Sequence, residues 1–312
     1  LTIPALIGPI SGPPLGGFLT TYLSWHWIFW INVPLALIGL VLVTRFLNTP
    51  DSRNERPIDV PGLVLSAITF AGVMFGFSVI SLPAIPTVAG YASIVVGMIA
   101  GWLYLGHARR TEYPILDPAM FRLPLFRNAI IGGSLFRIGI GAFPFLMPLM
   151  LQLTFGLTPF ESGLTTFIAA IGAILSKFGA ERLYAAFGFP RTLMVTALLG
   201  CSFLAINGLF TPAVPHWLLM GALLFGGLTR SFFFTGVNAL VFADVDEAHA
   251  SQATAINAVS QQLSVAAGVA VAGGALEIAS NMHGGELVLA DFHIAWFVVA
   301  AVAICSAIPF MR

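Results

Sequence analysis

Charge is what this 312-residue chain has least of: 8% of its residues are Asp, Glu, Lys or Arg, whereas 58% are hydrophobic. Soluble domains carry roughly a quarter charged residues. That scarcity, with a mean hydropathy of +0.95, excludes a soluble globular fold and points to an integral membrane protein. Cysteine is nearly missing too. Cys201 and Cys305 both lie inside apolar runs, which leaves no disulfide framework and no metal-ligand spacing. The histidines (His26, His107, His216, His249, His283 and His293) fall near the ends of apolar runs. With no ligand cluster at membrane depth, an intramembrane enzyme is disfavoured and no cofactor is expected. No basic patch with interleaved aromatics invites nucleic acid, and the net charge of zero says nothing about partners. A charged-then-apolar leader with a small-residue cleavage site is also lacking. The chain starts at Leu1, inside an apolar run and without Met, and reads as the C-terminal portion of a longer protein.

What is present is a series of apolar segments, at about 1–20, 27–47, 61–82, 88–107, 128–151, 160–178, 191–211, 216–242, 250–279 and 292–311. Each has roughly the 20 residues that cross a bilayer core as a helix, so the expected fold is an all-α integral membrane protein of about ten spanning helices. Cations supply the sidedness. If odd-numbered segments run outward, the inward connections hold Arg45, Arg53, Arg56, Arg109, Arg110, Arg122, Arg127, Lys177, Arg182, Arg191 and Arg312. The outward connections hold none. An asymmetry this complete fits the positive-inside rule.

The segment that organises the chain comes first: Gly8-Pro9-Ile10-Ser11-Gly12-Pro13-Pro14-Leu15-Gly16-Gly17, followed by Trp25-His26-Trp27-Ile28-Phe29-Trp30-Ile31-Asn32-Val33-Pro34. So many glycines and prolines would ruin a helix in water but are tolerated in lipid. Gly8, Gly12 and Gly16 share a face that lets a partner helix approach closely, while Pro9 and Pro13 should bend or loosen the helix. The G-x-x-x-G-P-x-x-G-G pattern resembles the antiporter motif of the major facilitator superfamily, and W-x-W-I-F-x-I-N-x-P resembles the sixth-helix start of its fourteen-helix branch. Within that branch the chain resembles multidrug exporters of the EmrB/QacA type. The resemblance implies the last ten of fourteen helices: residues 1–47 ending the N-terminal half, 48–107 an inner loop with two inserted helices, and 108–312 an inner connection followed by the six-helix C-terminal half.

Ionisable groups at bilayer depth are costly and face bundle interiors or wet paths. Arg137 lies ten residues beyond Arg127, and Arg230 lies fourteen from both His216 and Asp244. Either they face a substrate cavity, as the family layout implies, or they tie helices together through buried carbonyls. Phe233, beside Phe232 and Phe234, joins Asn238, Asn257 and Gln261 as cavity candidates, since aromatics with a few amides suit amphipathic molecules. The alternative for these is lipid contact and interhelical hydrogen bonding. No acidic residue lies clearly in mid-membrane. The resemblance puts the proton-coupling carboxylate in the family's first helix, upstream of Leu1; Glu161 suits a helix N-terminus better. Asp244, Asp246 and Glu247 read as a solvated loop that caps the following helix.

The function implied is proton-coupled efflux of amphipathic drugs by alternating access, from the inner (plasma) membrane, with lipid, substrate and protons as partners and a periplasmic adaptor as a further candidate. An importer, a lipid-moving carrier or a non-transporting membrane remnant are the alternatives.

Overall fold

The computed structural model describes residues 3–46, 59–80, 86–246 and 249–310, with backbone alone for 3–10 and 80. Regular structure there is entirely helical. Two helices, α1 (Ile3–Tyr22) and α3 (Asn32–Phe46), are joined through the single turn α2 (Trp27–Trp30). A hairpin of α4 (Val60–Ile80) and α5 (Thr87–Ala108) follows, then a 3-10 turn, Pro118–Arg122. The remainder is α6 (Pro124–Gly141), α7 (Phe143–Leu153), α8 (Pro159–Phe187), α9 (Phe189–Asn207), α10 (His216–Val241), α11 (Ala250–Met282), α12 (Leu289–Ile304) and a closing 3-10 turn, Cys305–Phe310. Among the described residues nine segments are long and apolar enough to cross a membrane, α6 with α7 counting as one. The tenth expected segment, α1, has the length, at 20 residues. Its four prolines and four glycines dilute its apolar character.

Proline sets several boundaries. Pro124, Pro144, Pro159 and Pro190 each occupy the first turn of a helix, where the missing N–H has no partner to lose. Pro144 also explains why the apolar run 124–153 breaks at Ala142 into α6 and α7. Between α8 and α9 stands Gly188 at φ +74°, a conformation that favours glycine. Nothing earlier stops α8, so it runs nine residues past the expected end at 178. Its 29 residues reach about 43 Å at 1.5 Å each, well beyond the ~30 Å hydrocarbon core. Lys177, Glu181 and Arg182 therefore stand on a helix rather than in a connection. α1 runs as one continuous helix through Pro9, Pro13 and Pro14.

The helices α6–α12 and the closing 3-10 turn surround one core, with Phe126, Phe136, Leu146, Met150, Leu193, Phe233 and Trp296 inside it. Small residues bring the backbones together. A Cβ on Gly141 would lie 2.8 Å from Val265 Cα on α11, and one on Gly268 would strike the Ile138 carbonyl of α6. The same device holds the α4–α5 hairpin, where a Cβ on Gly72 would lie 2.8 Å from Ser93 O and one on Gly97 2.9 Å from Thr69 O. Lipid tails are as apolar as leucine, so close packing rather than hydrophobicity associates such helices. The hairpin rests on α11, and α1 rests on α8, while α3 has no buried residue.

Polar bonds tie the arginine-rich side. Tyr104 Oη donates to Leu116 O and accepts from Leu116 N, both at 2.8 Å. Gln252 Nε2 donates to Pro114 O at 2.9 Å. In the acidic loop, Asp244 Oδ2 accepts from Leu125 N at 3.0 Å, capping α6. Glu247 lies outside the described residues. At the start of α4, Asp59 Oδ1 accepts from Gly62 N at 2.9 Å and from His107 Nε2 at 2.7 Å. Burial pushes this carboxyl up, but the His107 and Gly62 bonds outweigh it and hold it below the usual carboxylate range.

Candidate functional site: a helix seam and two intramembrane arginines

Each end of the α1–α8 seam is built by a backbone that lacks side chains. On α1, a Cβ at Gly17 would lie 2.6 Å from Pro159 O and 3.0 Å from Phe160 Cα. Reciprocally, a Cβ at Gly163 of α8 would strike Pro13 O and lie 3.0 Å from Pro13 C. The two helices thus meet backbone to backbone, on the side away from the arginines. Phe18, Tyr22 and Phe160 cover the contact, with ring centroids 5.1–6.1 Å apart. Thr158 and Glu161 fix the entry of α8. Glu161 Oε2 accepts from Thr158 N at 2.8 Å, and Thr158 Oγ1 accepts from Glu161 N at 3.2 Å, a reciprocal cap that agrees with the helix-end role expected of Glu161. Of the expected Gly8, Gly12 and Gly16 stripe, the two members whose surroundings are described do not make this contact. Gly12 and Gly16 have nothing within 4 Å, because the helix turns Gly17 and Pro13 toward α8 instead. The surroundings of Gly8 and Pro9 lie outside the described residues.

From the seam, α8 continues along α10 as a zipper of small residues. Cβ atoms on Gly172 and Gly227 would strike the Leu224 and Ala169 carbonyls, respectively. Ser176 Oγ donates to Ser231 Oγ at 2.7 Å, and Ser231 Oγ to Ala173 O at 3.1 Å. Lys177 Nζ donates to Thr235 Oγ1 at 2.9 Å, and Tyr184 Oη to Phe232 O at 2.8 Å; the Tyr184 ring fits where Gly236 has no side chain. Sequence reading missed these partners. The signal was there in the four-residue spacing Gly172, Ser176, Ala180 on α8 and Gly227, Ser231 on α10.

The two arginines rest on different aromatic rings. Arg137 of α6 is 8% exposed, with its guanidinium carbon 4.5 Å from the centre of the Phe234 ring. Arg230 lies over Phe143, at 5.5 Å. Neither makes a hydrogen bond or an ion pair among the described residues, so the carbonyl tie is not what holds them; aromatic faces are. Phe233 is fully buried between Phe136, Phe234 and Phe310. It is core, not cavity wall, because its position on α10 points at α6 and the closing 3-10 turn. Asn238 is exposed, Asn257 buried and Gln261 half-buried; the last two share one face of α11, on a different helix pair from either arginine.

Two voids matter. One, of about 20 Å³, lies among α6, α8, α9 and α10 and reaches Arg230 and Asn207. The other, about 260 Å³, separates the α4–α5 hairpin from α11 and is lined by Phe70, Tyr104, Leu105, Phe121, Ile256 and Leu263 among others. Ligand pockets for organic molecules run to roughly 300–1,000 Å³. The recess beside Arg230 is by itself smaller than that range, and Arg230 is half-buried.

The profile of the Major Facilitator Superfamily matches residues 1–116 and 129–312. "Putative multidrug resistance protein MdtD" of Pectobacterium atrosepticum is 35% identical over 283 residues, 91% of this chain and 60% of that protein. Its namesake in Pectobacterium carotovorum gives the same figures. The Salmonella paratyphi A protein of that name is 33% identical over 322 residues, covering 100% of this chain and 67% of its own length. The chain thus spans about 60% of the length of the Pectobacterium relatives.

Proposed function

The chain belongs to the major facilitator superfamily, and on that premise we propose that it is part of an exporter of amphipathic small molecules, working by alternating access and driven by protons moving inward. The observation that carries this reading is the α1–α8 seam. Alternating access rocks two helical bodies about a site between them, and such bodies need contacts that close tightly and part without unzipping side chains. Glycine against a carbonyl backbone does this: Pro13 and Gly17 on one helix, Pro159 and Gly163 on the other. The seam lies opposite the arginine-rich face, where closure would seal the outer mouth while substrate loads from the cytoplasm. The multidrug names of the relatives supply the substrate class, the resemblance of the Gly8–Gly17 segment to the antiporter motif supplies the direction, and the inner membrane and a periplasmic adaptor follow from the same branch.

The test is transport in everted vesicles containing the intact protein. An imposed pH gradient, acid inside, should drive accumulation of a fluorescent amphipathic drug, a protonophore should abolish it, and Gly163→Leu should do likewise with the protein still in the membrane. Accumulation indifferent to the gradient would refute proton coupling, and movement in the opposite sense would establish an importer.

A further inference from the structure

Arg230 has a charge and makes no ion pair among the described residues. It sits at least eleven residues from either end of α10, which spans His216–Val241, or about 16 Å of helix, too deep for its stem to reach an interface. A guanidinium keeps its proton in proteins and offers five donors. Arg230 is half-buried; none of its donors meets an acceptor among the described residues, and the face of Phe143 offsets only part of the cost of drawing the ion partly out of water.

A second orphan shares its cavity. Asn207, at the end of α9, is 4% exposed, and its side-chain amide makes no hydrogen bond among the described residues. The void between the two is otherwise walled by apolar and glycine positions such as Ile140, Leu204, Leu223 and Gly226. Its volume, about 20 Å³, exceeds the roughly 10–15 Å³ that admits one water-sized particle and falls far short of an organic molecule. A cationic and an amide side chain in the lining, no carboxylate among the lining residues and room for a single small body define the occupant. A water would satisfy donors but leave the charge uncompensated.

We propose that this partly open recess of the α6–α12 bundle binds one monovalent anion of halide size between the Arg230 guanidinium and the Asn207 amide, locking α9 to α10. Its test is independent of the proposed drug export, since it reads halide binding rather than transport.

Thermal unfolding of the intact protein in lipid nanodiscs, followed by tryptophan fluorescence at constant ionic strength, tests this with chloride and bromide as probes and gluconate as the oversized control. The midpoint should rise by several degrees, saturably, with chloride or bromide and stay flat in gluconate. Asn207→Leu should raise the half-saturating halide concentration about tenfold or more, the loss of one charged hydrogen bond, and Arg230→Gln should abolish the response. Should Arg230→Gln fail to fold, Arg230→Lys keeps the charge and should retain a weakened response. Equal midpoints in chloride and gluconate for the unaltered protein would mean the cavity holds water only and would overturn the proposal. So would a halide response that survives Arg230→Gln unchanged.

Discussion

Gly17→Ala adds one methyl group at one of the two backbone contacts of the α1–α8 seam. The new Cβ would stand 2.6 Å from Pro159 O, where ordinary contact begins at 3.4 Å, so the backbones must part by close to 0.8 Å. Neither side can yield locally. The obstacle is a carbonyl of α8 rather than the end of a flexible side chain, and Pro159 is held in the first turn by the Thr158–Glu161 cap. Overpacking of this kind costs about 1–3 kcal/mol, and only in the state where the seam is closed. A differential cost of that size shifts a two-state equilibrium about 5- to 150-fold. A seam closed nine times in ten would fall to roughly two in three at the low end and about one in twenty at the high end. Nitroxide labels at Leu23 and Leu164, both exposed and outside the contact, would report this as a transfer of population from a short to a long interlabel distance in the intact protein. Gly12→Ala, with nothing within 4 Å, serves as the matched control and should leave that distribution alone. If Gly17→Ala produced the same distance distribution as the parent, the reasoning about backbone contact would be wrong.

Three further outcomes follow from the geometry. Thr158→Ala removes the reciprocal cap of α8 and should lower stability by about 0.5–2 kcal/mol, read as faster amide exchange in the first turn of that helix. A double-mutant cycle on Ser176→Ala and Ser231→Ala should return a coupling of only about 0.6 kcal/mol, since the glycines around them carry the close approach; a coupling several times larger would show the hydroxyl pair to be the main tie between α8 and α10. Asp59 makes the hairpin acid-sensitive: its carboxyl is held below the usual range, so its contribution is complete above the unfolded value, about 3.9, and is lost as pH falls below that through the folded value. Exchange at the start of α4 should therefore rise steeply only below about pH 4, and Asp59→Asn should flatten that rise.

Much of this was legible without coordinates. Apolar length and the placement of arginines follow from the chemistry of a bilayer, which acts on every residue alike, so spans and sidedness are written in composition. The Gly/Pro segment marked α1 as a packing helix for the same reason: nothing else tolerates that sequence. Glu161 could be read as a helix-end residue because its neighbours, Thr158 and Pro159, already announce a start. The extension of α8 to Phe187 was not legible, since its last turns leave the hydrocarbon and no longer have to be apolar.

What the sequence by itself determined is the class: a helical membrane protein of the major facilitator superfamily, with the cations of its connections on one side. Which glycine makes contact only the tertiary structure decided. Gly12, Gly16 and Gly17 are equivalent as letters, and the rotation of α1 against α8 selects Gly17. The same holds for the polar residues. Phe233 looked available and is core, while Asn207, unremarkable in a run of small and apolar residues, becomes the neighbour of Arg230 across a void. The physical reason is that a helix presents its residues at about 100° intervals. Composition says what each stripe can do, and only the packing of one helix on another says which stripe is asked to do it.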